Sequence, residues 1–234
     1  MRAFLIVALA GLAGCEATAA PPPPQTFAQK LAAVRQHMHV RFAASSGVQL
    51  AIALSDLDRA HADARTIAAL DEPDVLPEWK PYVDHIRTSA AQIAQTKDTV
   101  VASKALAQLG GKCAECHRAV PGAKVVFPKL PHPSDDPKLA LQMAHHEWAA
   151  ARMWEGLIAP SDERWLDGAK ELSTARLTIA AEGGKENLGI ANDVAKVRLL
   201  ATRAIKAKSP DDRVAIYGEL LGTCAHCHYT IRDR

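Results

Sequence analysis

The sequence predicts an all-α protein built as two tandem four-helix bundles, and three observations carry that prediction. Only 5% of the 234 residues are aromatic and β-branched runs are scarce, while Ala, Leu, Gln, Lys and Arg abound, which favours helices over sheet. Apolar residues recur at helical spacing through most of the chain. One unit also occurs twice: Cys113-Ala114-Glu115-Cys116-His117 and Cys224-Ala225-His226-Cys227-His228 lie 111 residues apart. Their approaches match as well, Leu109-Gly110-Gly111-Lys112 against Leu220-Leu221-Gly222-Thr223.

The bulk properties narrow the classes. At 48% hydrophobic and 23% charged the chain has the composition of a soluble globular protein, which excludes a disordered tail and a membrane bundle. A formal charge of +2 on 28 basic and 26 acidic residues gives no footprint for nucleic acid, whose phosphates need concentrated Lys and Arg.

From the N-terminus, Arg2 precedes an apolar run from Ala3 to Ala13 that is too short for a bilayer span and reads as an export signal over residues 1–14. Leu12-Ala13-Gly14-Cys15 resembles the lipobox of bacterial lipoproteins, which implies a lipidated Cys15. Cleavage after Ala17-Thr18-Ala19 is the plainer alternative. Residues 15–24 then form the lipid-anchor cysteine and a stalk, because Pro21-Pro22-Pro23-Pro24 can only be extended. The implied location is the periplasmic face of a membrane. With Glu16 rather than an aspartate after Cys15, analogy favours the outer membrane.

The first repeat is expected over residues 25–120. Phe27, Leu31, Val34, Met38 and Phe42 form one stripe running toward Leu54, and Asp56 to Leu70 makes a second helix. Glu78 to Gln95 carries Trp79, Tyr82, Ile86 and Ile93, and Asp98 caps a fourth helix that bears the cysteines. Residues 121–133 are a linker, since Pro121, Pro128, Pro131 and Pro133 forbid a persistent helix. In the second repeat, 134–234, helices are expected over Ser134–Ile158, from Ser161-Asp162-Glu163, over Lys185–Ala207, and from Ser209-Pro210-Asp211-Asp212.

Spacing gives the motif its chemistry. Positions i, i+3 and i+4 share a helix face, so Cys113, Cys116 and His117 converge, as do Cys224, Cys227 and His228. Two thiols at that separation can add to the vinyl groups of one haem while the adjacent imidazole reaches the iron, and C-x-x-C-H is the signature of c-type attachment. Zinc would want four ligands where each half offers three. Dithiol redox chemistry wants CxxC at a strand-to-helix junction, and a disulfide within CxxC closes a tiny loop for little stabilisation. Two covalently bound haem c groups are therefore expected, with His117 and His228 as proximal iron ligands.

CxxCH on the fourth helix of a bundle resembles the class II cytochromes c, the family of cytochrome c′ and cytochrome c556. In common small cytochromes c the motif instead lies near the start of the domain. The family motif often continues with an aromatic residue and Arg; here Ile231 and Arg232 follow the second motif, and Val120 and Pro121 the first. The resemblance implies a four-helix bundle per half with the haem on the last helix, and a distal face supplied by the first helix. It also implies that the tandem halves pack as an intramolecular counterpart of the family's homodimer.

The distal ligand separates electron transfer from gas binding. Aligning Phe42 with Trp148 superposes His39 on His145 and gives both halves H-x-x-aromatic, so bis-histidine ligation by His39 and His145 is the first expectation. Met38, Met143 and His146 are the alternatives. His61, His85, His132 and His226 are assigned solvated roles, and Trp79, Trp148, Trp154 and Trp165 packing roles. No paired-carboxylate, Ser-His-Asp or phosphate-loop pattern is present, so no catalytic residue is assigned. The expected activity is single-electron transfer between redox partner proteins, with a gas-binding haem protein as alternative.

Overall fold

The computed structural model describes residues 26–70, 75–119, 125–127, 129–135, 138–175 and 188–232. The export signal, Cys15 and the proline stalk lie outside the described residues, as do Pro121, Pro128 and Val120. Eight α-helices and no strand occur among the described residues: α1 Phe27–Ala53, α2 Leu57–Ala69, α3 Lys80–Ile93, α4 Thr99–Ala119, α5 Leu139–Ile158, α6 Asp162–Thr174, α7 Leu188–Lys206 and α8 Pro210–Arg232. Among the described residues no helix is long and apolar enough to cross a membrane.

The helix starts follow the sequence signals. Thr26 and Gln29 form a reciprocal capping box at α1, Asp56 accepts from Arg59 N at α2, and Ser161 accepts from Arg164 N at α6. Asp98 Oδ1 accepts from Val100 N (2.7 Å) and Val101 N (3.2 Å) at α4, and Ser209 Oγ accepts from Asp212 N (3.0 Å) at α8, with Pro210 in the first helical position. The largest boundary difference is at α5, which begins at Leu139 instead of Ser134, and α3 is shorter at both ends, Lys80–Ile93 instead of Glu78–Gln95.

Within each half, consecutive helices pack on one another: α1 on α2, α2 on α3, α3 on α4, then α5 on α6, α6 on α7, α7 on α8. The two halves meet through α4 and α8, and α1 also reaches α8 while α5 reaches α4. Buried residues from both halves, including Ile52, Ile93, Leu106, Leu109, Trp154, Trp165, Leu200 and Tyr217, form one continuous hydrophobic cluster.

Glycine brings α4 and α8 together. A Cβ on Gly111 would meet Val214 at 2.8 Å, one on Gly218 would meet Lys104 Cα at 3.3 Å, and one on Gly222 would meet Ser103 Oγ at 3.7 Å. Partners descend along α8 as positions ascend along α4, so the pair is antiparallel. The two CxxCH motifs therefore occupy opposite ends of the pair, roughly 20 Å apart along the axis at about 1.5 Å per residue.

The linker is more than a spacer. Phe127 is buried against Phe42, ring centroids 5.1 Å apart, with the Arg164 guanidinium 4.7 Å from its ring centre. Further on, Trp148 Nε1 donates to Leu130 O at 3.4 Å.

Candidate functional site

Both cysteine motifs sit in the last turns of long helices, α4 and α8. Each first cysteine packs against the hydrophobic cluster, and none of the four forms a disulfide. Burial pushes the Cys113 thiol up to about 12, with Arg41 opposing and Cys116 adding to the rise, and it raises Cys116 against the same Arg41 charge. Cys224 is pushed up to about 12 by burial, by Cys227 and by Asp193, and Cys227 to about 11 by burial and Asp193. These are protonated thiols at the negative end of a helix. A dithiol redox centre has the opposite setting, a depressed thiol at a helix N-terminus, so the geometry disfavours exchange chemistry.

The motif imidazoles are half-buried, and burial lowers the pKa of both His117 and His228. His117 Nδ1 donates to Ile158 O, the last carbonyl of α5, at 2.8 Å. That bond fixes the tautomer and leaves Nε2 as a lone-pair donor, the arrangement that orients ligating histidines.

The first helices of the two halves correspond at their C-terminal ends. Asp56 N donates to Ala51 O and Ser161 N to Gly156 O, and each loop holds a residue of positive φ, Ser55 at 57° and Pro160 at 20°. The structural offset is thus 105 residues, one less than the Phe42–Trp148 alignment assumes. Arg41 pairs with His146 and Met38 with Met143, whereas His145 pairs with Val40. The shift arises because caps and loop bonds set the backbone register, while the two aromatics correspond in residue type alone.

Exposure agrees with this register. Arg41 is buried, and its charge acts on Cys113 and Cys116. His146 lies close enough to His228 for that imidazole to help depress it; burial is the larger cause, and together with Arg198 and His145 they take His146 down to about 4. His146 Nε2 is buried and has no hydrogen-bond partner among the described residues. His39 is exposed, and His145 turns away to Glu171, Nδ1 to Oε1 2.6 Å. Met38 and Met143 are half-buried one turn before Arg41 and His146.

Residues that the sequence did not signal fall in three groups. Arg41 carried no motif, although the cap alignment of Asp56 with Ser161 places it opposite His146. Glu155, 3% exposed, bridges Arg152 (3.1 Å) and Arg164, and Arg152 also reaches Asp167 at 2.9 Å. His132 and His226, read as solvated, have carboxylate partners: Glu171 at 3.3 Å and Asp193 at 2.8 Å. No protein family, curated protein or solved structure matches this chain.

Proposed function

We propose that the chain is a dihaem c-type cytochrome of two four-helix units, exported and held at a membrane surface through Cys15, which carries single electrons between redox partner proteins. The observation that carries this reading is the repeated presentation of two thiols and an imidazole on one helical face, with the His117 ring oriented through Nδ1 for ligation at Nε2. The donor set fits the group: neutral buried thiols suit thioether formation, and an orphaned imidazole nitrogen at His146 stands near His228. Cys113, Cys116 and His117 would hold one haem, and Cys224, Cys227 and His228 the other. When bound, each haem supplies a one-electron couple whose potential is tuned by axial ligands and burial.

This chain's own residues would make the two sites unequal. On α5, His146 is the distal ligand this geometry favours, ahead of Met143 and of His145, which is engaged with Glu171. On α1 the matching position is Arg41, which cannot lose its charge, and Met38 is the nearest candidate ligand. The same Arg41 favours a second reading for the first half alone, an open iron that binds small gases. Mass spectrometry and a pyridine haemochromogen assay of the exported protein test the main reading. Two thioether-linked haems per chain are expected, falling to one when Cys113 and Cys116 are both changed to Ala; a chain exported without haem would overturn it.

A further inference from the structure

His132 of the linker, His145 of α5 and Glu171 of α6 bring one ligand atom each within 4.8 Å of one another. None belongs to either cysteine motif. His145 Nδ1 faces Glu171 Oε1 at 2.6 Å and His132 Nε2 faces Glu171 Oε2 at 3.3 Å. The far nitrogens are occupied too: His145 Nε2 lies 3.2 Å from Ser134 O, and His132 Nδ1 lies 2.9 Å from Pro133 O.

Each imidazole therefore meets an oxygen acceptor at both ring nitrogens. A neutral imidazole has one proton, donates to one of the two, and leaves a nitrogen lone pair against an oxygen lone pair. A divalent cation beside Glu171 removes both conflicts. It takes the two facing nitrogens and a carboxylate oxygen as ligands, while the remaining N–H groups donate to the Ser134 and Pro133 carbonyls, the outer hydrogen bonds that hold ligating histidines in place.

We propose that His132, His145 and Glu171 form a binding site for a zinc-class divalent ion, with water in the fourth position. Two imidazoles and one carboxylate suit Zn²⁺, whereas Ca²⁺ and Mg²⁺ prefer oxygen shells. The ligand atoms need to close to about 2.0–2.1 Å from the metal, and the exposed His132 side chain on the linker supplies that movement. The bound ion would pin the linker to α5 and α6. It would also fix the rotation of α5 that turns the neighbouring His146 toward the second motif. The site stands independently of the haem assignment.

Calorimetric titration of the full-length protein with Zn²⁺ tests it, comparing the parent chain with His132→Ala, Glu171→Gln and a control His85→Ala. Zn²⁺ taken up by cysteine thiols would be the same in all four proteins, so the comparison isolates the new site. One equivalent of Zn²⁺ beyond any uptake by thiols is expected to bind the parent and the control and to weaken at least tenfold in both ligand variants. Circular dichroism confirms that each variant is folded. Co²⁺ at the same site should show visible d–d bands free of thiolate charge transfer, lost in Glu171→Gln. Zn²⁺ isotherms that superpose in all four proteins would overturn the site, as would Co²⁺ spectra unchanged by Glu171→Gln.

Discussion

Gly110 of α4 lies directly beneath the indole of Trp154 of α5: a Cβ there would meet Cζ3 at 2.6 Å and Leu157 Cδ2 at 3.1 Å. The contact sits one turn before Cys113 and joins the two halves of the chain. A Gly110→Leu substitution overfills it, and the expected cost is about 1–3 kcal/mol of overall stability. Urea unfolding measures this; an unchanged midpoint would show that the halves do not pack here.

The buried carboxylate of Glu155 bridges two guanidiniums, those of Arg152 and Arg164, and Asp167 supplies the second negative charge at Arg152. Its counterpart in the first half, at the structural offset, is Leu50. Removing the acid leaves Arg164, only 21% exposed, without its carboxylate and Arg152 with Asp167 alone, so Glu155→Ala should destabilise by roughly 3 kcal/mol. Glu155→Leu with Arg152→Leu and Arg164→Leu should recover much of that loss. Thermal denaturation of both variants checks the pair of outcomes.

Tyr217 is fully buried and its hydroxyl donates to Ala150 O at 3.1 Å. Burial first, then the neighbouring Cys224, holds its pKa well above the usual 10, against a hydrogen bond with Gln49 that pulls it down. The unfolded chain therefore releases this proton first. The associated stability is fully present below pH 10 and is lost as pH rises above it. Tyr217→Phe should cost about 1 kcal/mol at pH 8 and progressively less above pH 10, read as converging denaturation midpoints.

Opposite the cysteine motifs stand His146 and Arg41, and if each motif holds a haem as proposed, replacing them should give different results. His146→Ala is expected to open the second iron and add one carbon monoxide per reduced chain. Arg41→Ala should leave the ferric coordination bands unchanged, because guanidinium does not ligate. Carbon monoxide stoichiometry and ferric visible spectra distinguish the two sites, and equal behaviour of both variants would remove the asymmetry proposed here.

Helix identity and most boundaries were legible because local signals agree with tertiary packing: Asp56, Ser161 and Ser209 cap the helices that their side chains announce. The convergence of each motif on one face followed from spacing. The facing residues on α1 and α5 did not. Phe42 and Trp148 are alike in type, yet both are drawn to linker groups, Phe127 and His132, and so give no guide to backbone register. The meeting of His132 with Glu171 was hidden for a related reason: 39 residues separate them, and only the path of the linker over α5 and α6 brings them together.

The covalent joining of the halves has a consequence for their divergence. Two identical subunits must present the same surface to each other, so any change at a shared interface appears twice. Across α4 and α8 the partners are encoded separately, and their association does not weaken on dilution because each is tethered to the other. Arg41 could thus part from His146, and Leu50 from Glu155, without either half losing its partner. Within one chain, a change on one helix need not be answered by the same change on its counterpart.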